Sequence, residues 1–227
     1  MFLGHFGLGF GGKRIAPAVS LGALFLAVQW ADLLFWILAL VGVEHFRIEP
    51  GNTRMTPMDF FDYPFSHSLL ALLIWGLLVG GTFAQVGKRR ATTRSVAIVL
   101  AAGVLSHWFL DALVHRPDMP LWPVPGAGGG PKVGLSVWNH PVLTVVLEIL
   151  VYGLGLAVYL KTTRAADRTG RWALWSLVVF LAVLWVASVL GPPPPSERVV
   201  ALSGLAMWLF VPWGYWIDRH RVIVAAA

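Results

Sequence analysis

Six apolar runs, at residues 17–43, 68–86, 95–114, 137–160, 172–190 and 199–217, take up most of this 227-residue chain. A helix needs about 20 mainly apolar residues to cross the hydrocarbon of a bilayer, so each run predicts one crossing. The fold class that follows is all-α, a polytopic membrane helix bundle of about six transmembrane helices. A further apolar stretch, 1–11, is too short to cross. With GGKRIAP (11–17) as a turn, it predicts a half-membrane helix that climbs back beside the first span. Composition agrees, with 57% of residues hydrophobic and only 12% charged, against about 25% charged in a soluble domain. Residues 1–227 therefore read as a single integral membrane domain, with the polar chemistry in 1–160 and two plain spans in 161–227.

The net charge of +6 does not point to nucleic acid. The 17 Lys and Arg fall in short groups between apolar runs, where they act as topology signals. Counted over alternate segments, one side holds twelve and the other five. The positive-inside rule then puts the turn at Lys13–Arg14, the segment 87–94 with Lys88 and Arg90, and the C-terminal tail in the cytoplasm. Segments 44–67, 115–136 and 191–198 face outward. The first two exceed about 12–15 residues, a length at which loops are usually functional or disordered, and their Tyr, Phe and Trp argue for order. The absence of Cys excludes disulfides, thiolate metal sites and cysteine nucleophiles. The opening MFLGHFGLGFGGKR carries its basic pair after the apolar stretch and predicts no cleaved signal peptide.

An ionisable group inside hydrocarbon costs roughly 2.5–3.5 kcal/mol on insertion scales, so each one needs a reason. The candidates are His5, Asp32, His107, Asp111 and Glu148, with His67 and His115 at the outer rim. Asp32 and Glu148 fall near the centres of their spans, and the half-helix returns His5 toward the same plane. Its glycines, Gly4, Gly7, Gly9, Gly11 and Gly12, suit close packing on a neighbour. In SHWFLDALVH, residues His107, Asp111 and His115 stand four apart and form one polar stripe. Counting along the helices gives two layers: His5, Asp32, His107 and Glu148 inside, then His67, Asp111 and His115 outside. His67 follows Ser66, which is expected to cap the next helix. Imidazole plus carboxylate without thiols is ligand chemistry for a divalent metal, zinc first, with manganese or non-haem iron as alternatives. A self-satisfied polar seam, or a carrier of protons, metal ions or a small solute, would use the same residues. His140 reads as interfacial. Arg116 and Lys132 either hold a phosphate or are ordinary solvated loop charges.

The stretches HFGLGFGGKR, QWADLLF, YPFSHSLL and SHWFLDALVHRPDMPLWP resemble the bacterial membrane-bound metal-dependent hydrolases called YdjM-like proteins, over residues 1–160. That family is similar in turn to zinc-dependent phospholipase C, whose ligands run His, Asp, His, HxxxD, His, HxxxE. The resemblance implies His5, Asp32, His67, His107 with Asp111, and His115 as metal ligands, in that order. Glu148 stands for the last element, although His140 and Glu148 are eight apart rather than four. The activity implied is hydrolysis of a phosphoester in a lipid or lipid-linked substrate, with Asp32 or Asp111 as the catalytic carboxylate and membrane lipids as partners. Other membrane hydrolases fit less well. No HExxH is present, and Leu100 and Ala101 stand where type-2 phosphatidic acid phosphatases carry Ser-Arg. A non-catalytic scaffold, with the last two spans as docking surfaces, is the third reading.

Overall fold

The computed structural model describes residues 1–86, 90–126 and 128–224, and Lys88 of the expected cytoplasmic segment lies outside them. The chain is mostly helical. Helix α1 (Phe2–Ile15) turns at Ala16–Ser20 into α2 (Leu21–Val28) and α3 (Trp30–Leu40). A hairpin of β1 (His45–Ile48) and β2 (Met58–Asp62) leads into the short α4 (Pro64–His67), then α5 (Leu69–Val86) and α6 (Arg90–Val114). A two-residue ribbon of β3 (Met119–Pro120) and β4 (Lys132–Val133) follows, then α7 (Pro141–Thr162). The chain ends with β5 (Thr163–Ala165), α8 (Arg168–Leu190), α9 (Glu197–Leu205), α10 (Phe210–Arg219) and β6 (Arg221–Ile223).

Four helical stretches among the described residues are long and apolar enough to cross a membrane: Arg94–Val114, Pro141–Thr162, Arg168–Leu190 and Glu197–Arg219. Two of the six expected spans differ. The first is broken into α2 and α3, which meet at an angle of 58°, so it counts as a crossing only if the bent pair is taken together. The second coincides with α5, whose apolar part, Leu69–Gln85, is shorter than the four crossings; the chain is extended at Ser68 (φ −70°, ψ 147°), between α4 and α5. Capping falls to Ser68, whose Oγ accepts from the Ala71 amide at 3.2 Å, and not to Ser66. The long outer segments are ordered: Phe46 pairs with Phe60 and Arg47 with Asp59 across the β1–β2 hairpin.

Helix α1 is enclosed on most sides by α7 and α2, with Phe6 and Phe10 fully buried. Its glycines make this possible. A Cβ on Gly7 would stand 2.5 Å from the Val151 carbonyl oxygen of α7, so only glycine lets the two backbones meet there. On the other side, Gly9 lies against the ring of Phe25 from α2. Helix α8 buries Leu174, Leu177 and Leu181 and leaves Trp172, Val179, Val183 and Leu190 exposed, as a helix facing lipid would.

Lys13 is more than a topology charge. It is buried, and its ammonium donates to Asp218 Oδ2 at 2.5 Å and to the Val19 carbonyl at 2.7 Å. Asp218 also accepts from the Leu21 amide and the Tyr159 hydroxyl, so one carboxylate of α10 ties together α1, α2 and α7. Arg14 alone of the basic pair remains exposed. Breaking a buried pair from one side leaves an uncompensated charge and costs about 3–5 kcal/mol. Lys13→Met should therefore lower thermal stability in detergent sharply, and Lys13→Met with Asp218→Leu should recover much of the loss. Equal melting temperatures for the single and double variants would contradict this account of the clasp.

Candidate metal centre

The break between α2 and α3 comes at Gln29 (φ −105°, ψ 4°), which has no glycine or proline beside it. A broken helix in hydrocarbon must satisfy its freed backbone groups from inside the protein. Here the Val28 carbonyl accepts from His107 Nδ1 of α6 at 2.8 Å. That bond orients the imidazole: it places a proton on Nδ1 and turns Nε2 to the bundle interior. The same break starts α3 with Asp32 in its first turn, aimed at the same place.

Two more imidazoles are oriented in the same way. His67 Nδ1 lies 2.7 Å from Ser66 Oγ. The Ser66 hydroxyl already donates to Glu44 Oε2 at 2.5 Å, so it accepts from His67. Glu44 Oε1 accepts in addition from the Phe65 and Ser66 amides, which holds α4 against the segment after α3. Burial pushes the Glu44 carboxyl above its ordinary range, and the bonds from Ser66 and Phe65 oppose the shift. His115 Nδ1 bonds Asp118 Oδ1 at 3.0 Å, and the Tyr63 hydroxyl donates to the same oxygen. Each outer partner leaves an Nε2 pointing inward, an arrangement found around metal-ligating histidines.

The inward atoms meet at Asp111. Its Oδ2 lies 3.0 Å from His107 Nε2, 3.8 Å from His67 Nε2 and 3.9 Å from His115 Nε2. Its Oδ1 lies 3.1 Å from His5 Nε2 and 2.5 Å from the Met1 amine. Asp32 Oδ1 stands 3.5 Å from His67 Nε2 and 3.7 Å from His107 Nε2. The rings of His5 and His107 stack in parallel, with centroids 3.8 Å apart. Two triads have ligand atoms close enough to share an ion, His5–His107–Asp111 and Asp32–His67–His107, and His107 belongs to both.

Six of the seven candidate side chains are thus brought together, and the expected two layers collapse into one group around Asp111. Glu148 is the exception. Its oxygens accept from the Phe2 and Gly4 amides, each at 2.8 Å, so it caps the start of α1 one turn before His5. Neither triad includes it, nor His115, which joins the group only through Asp111 Oδ2 at 3.9 Å. Arg116 is neither a free phosphate binder nor a solvated charge. It pairs with Asp59 and Asn52 and, at 3.1 Å, with Asp118, locking the hairpin segment onto the end of α6. Lys132 donates to the Phe61 carbonyl, and His140 is exposed at the start of α7. Glu44, Ser66 and Asp118 are the contributors that sequence reasoning missed. Asp118 stands three residues after His115, a spacing that carried a weak signal.

The donor set fits a divalent cation. His107 Nε2 is wholly buried without a hydrogen-bond partner, although a carboxylate oxygen lies within 3.0 Å. Two lone pairs facing each other in a low-dielectric interior repel. A cation between them, or a second proton on the ring, removes the conflict, and the further bare nitrogens of His67 and His115 favour the cation. Ser66→Ala would release His67 while keeping all six candidate ligands. Its expected effect is a loss of metal affinity of about 10–100-fold, the usual cost of removing such an orienting partner, measured by chelator competition. Unchanged affinity would mean that His67 is not held for a metal.

Residues 64–192 match the YdjM inner membrane protein family, more than half of the chain. The matched segment runs from α4 through α8 and includes His67, His107, Asp111, His115 and Glu148, whereas His5 and Asp32 precede it. No curated protein and no solved structure matches the chain. The chain belongs to the YdjM inner membrane protein family.

Proposed function

We propose that this protein is a membrane-embedded, metal-dependent hydrolase of phosphoester bonds in a lipid or lipid-linked substrate. The observation that carries the reading is the convergence of imidazole Nε2 atoms on Asp111 and Asp32, among apolar helices. His5, His67, His107, His115, Asp32 and Asp111 would hold the ion or ions. Zinc suits these ligands best, ahead of manganese and non-haem iron. A divalent ion there supplies Lewis acidity, polarising a phosphoryl oxygen and making a nearby water more acidic.

The roles left to the chain follow from exposure. The side chains of His5, His67, His107, Asp111 and His115 are at most 5% accessible, whereas Asp32 is 23% accessible. Asp32 is therefore the carboxylate we assign to orient the attacking water and take its proton. Asp111, within reach of four imidazoles, holds the group together. In the hydrolysis the water oxygen bonds to phosphorus, the bond to the lipid oxygen breaks, and that oxygen leaves with a proton. The hydrocarbon around the site limits water and strengthens these electrostatics. By the charge count, the N-terminal turn and C-terminus lie in the cytoplasm and the site opens outward.

The test is elemental analysis of detergent-purified protein beside His107→Ala and Asp111→Asn, with phosphate release measured on phospholipid substrates. Stoichiometric metal in the wild type, lost in both variants together with turnover, is the expected result. Solute or proton flux without retained metal would favour a carrier. Loss of a membrane complex in Asp111→Asn, with metal and turnover unchanged, would favour a scaffold.

A further inference from the structure

A cavity of about 590 Å³ opens where the segment 50–58 meets the outer ends of α7, α8 and α9. That volume lies within the range of about 300–1,000 Å³ that small-molecule sites occupy. Apolar side chains such as Phe2, Met55, Trp138, Trp185 and Val199 line it, with Ser188 and Ser203 among the polar exceptions. It holds one acid and one base. The acid, Glu148, is already engaged by the Phe2 and Gly4 amides. The base, Arg54, is exposed and has no acidic partner among the described residues.

The cavity shares a wall with the metal centre. Trp138 lines it and also packs on His115, with ring centroids 4.2 Å apart. Phe2 lines it three residues before His5. On the far side, α9 contributes Val199, Val200 and Ser203 and also packs on α3, where the ring of Trp36 lies against Gly204, one turn after Asp32. Helix α8 leaves Val183, Val186 and Leu190 exposed beside this opening, an apolar face suited to lipid. An amphiphile can therefore enter from the bilayer without crossing water, and a small free anion would gain nothing from the apolar walls.

We propose that this cavity binds an anionic phospholipid, its apolar body between the ends of α8 and α9 and its headgroup toward Arg54, and delivers it to the His/Asp group. The inference rests on the hydrolase reading for delivery, but not for binding. It gives the last spans a role in substrate selection.

The chain has no cysteine, so Ser188→Cys provides a unique label inside the cavity and Leu135→Cys an exposed control outside it. In detergent micelles, phosphatidylglycerol should slow maleimide alkylation of the cysteine at 188 by about fivefold or more. It should leave position 135 unchanged. Phosphatidylcholine and inorganic phosphate should not protect, and Arg54→Glu should abolish the protection. Absence of protection, equal protection by phosphatidylcholine, or protection by inorganic phosphate alone would overturn the proposal. As a second measurement, Ser188→Trp should raise KM for a long-chain phospholipid about tenfold. It should leave metal content and turnover of a short water-soluble phosphoester unchanged. An equal loss on both substrates with metal retained would count against the cavity as the lipid site. Protection without turnover of any phosphoester would overturn the hydrolase reading and leave the lipid site standing.

Discussion

A carboxylate inside a bundle of apolar helices persists only if neighbouring groups compensate its charge, and Asp111 is where this protein concentrates that compensation. Four imidazole nitrogens and the Met1 amine lie within 3.9 Å of its two oxygens. The surrounding architecture follows from bringing those groups to one point. Helix α1 must lie close enough to α7 to deliver His5, which is why glycines face each other at Gly7 and Gly155. Helices α2 and α3 must part at Gln29 to free the Val28 carbonyl for His107 and to set Asp32 opposite. The chain must interrupt α4 and α5 at Ser68 so that His67 enters from the rim.

The outer shell does different work from the inner one. Glu44 with Ser66, Asp118 with Tyr63, and the Val28 carbonyl each take the outward proton of one imidazole. Their shared effect is to settle each ring's tautomer before any ligand arrives, so the inward nitrogens are preorganised. Arg116 holds the loops that carry two of these partners, through Asp59, Asn52 and Asp118. At the opposite end, the Lys13–Asp218 clasp ties the C-terminal helices to α1. Positioning the site and stabilising the bundle thus fall to separate polar networks.

Much of the site was legible because helical spacing is a strict geometric rule. The interval of four between His107, Asp111 and His115 put all three on one face, and the depth of His5 followed from the short helix and its turn. The rest depended on partners remote in sequence. Residues 21–40 are apolar almost throughout, so nothing local marked the break at Gln29, and the imidazole that bonds the freed Val28 carbonyl lies 79 residues beyond it. Depth alone placed Glu148 near the centre of its span, but not the direction of its side chain, which is set by amides 144 and 146 residues earlier. Lys13 read only as a topology signal because its partner lies 205 residues onward.

The central claim is that four imidazoles from three chain segments, each protonated on its outer nitrogen where a partner takes that proton, share a cation through their inner nitrogens. Nitrogen NMR of histidine-labelled protein loaded with cadmium-113 measures this directly, because coupling to the metal identifies the ligating nitrogen. The account predicts cadmium coupling at Nε2 of His107 and His67, with protons retained on their Nδ1 atoms. Protons on the Nε2 atoms of those two rings, with no coupling at either, would contradict it.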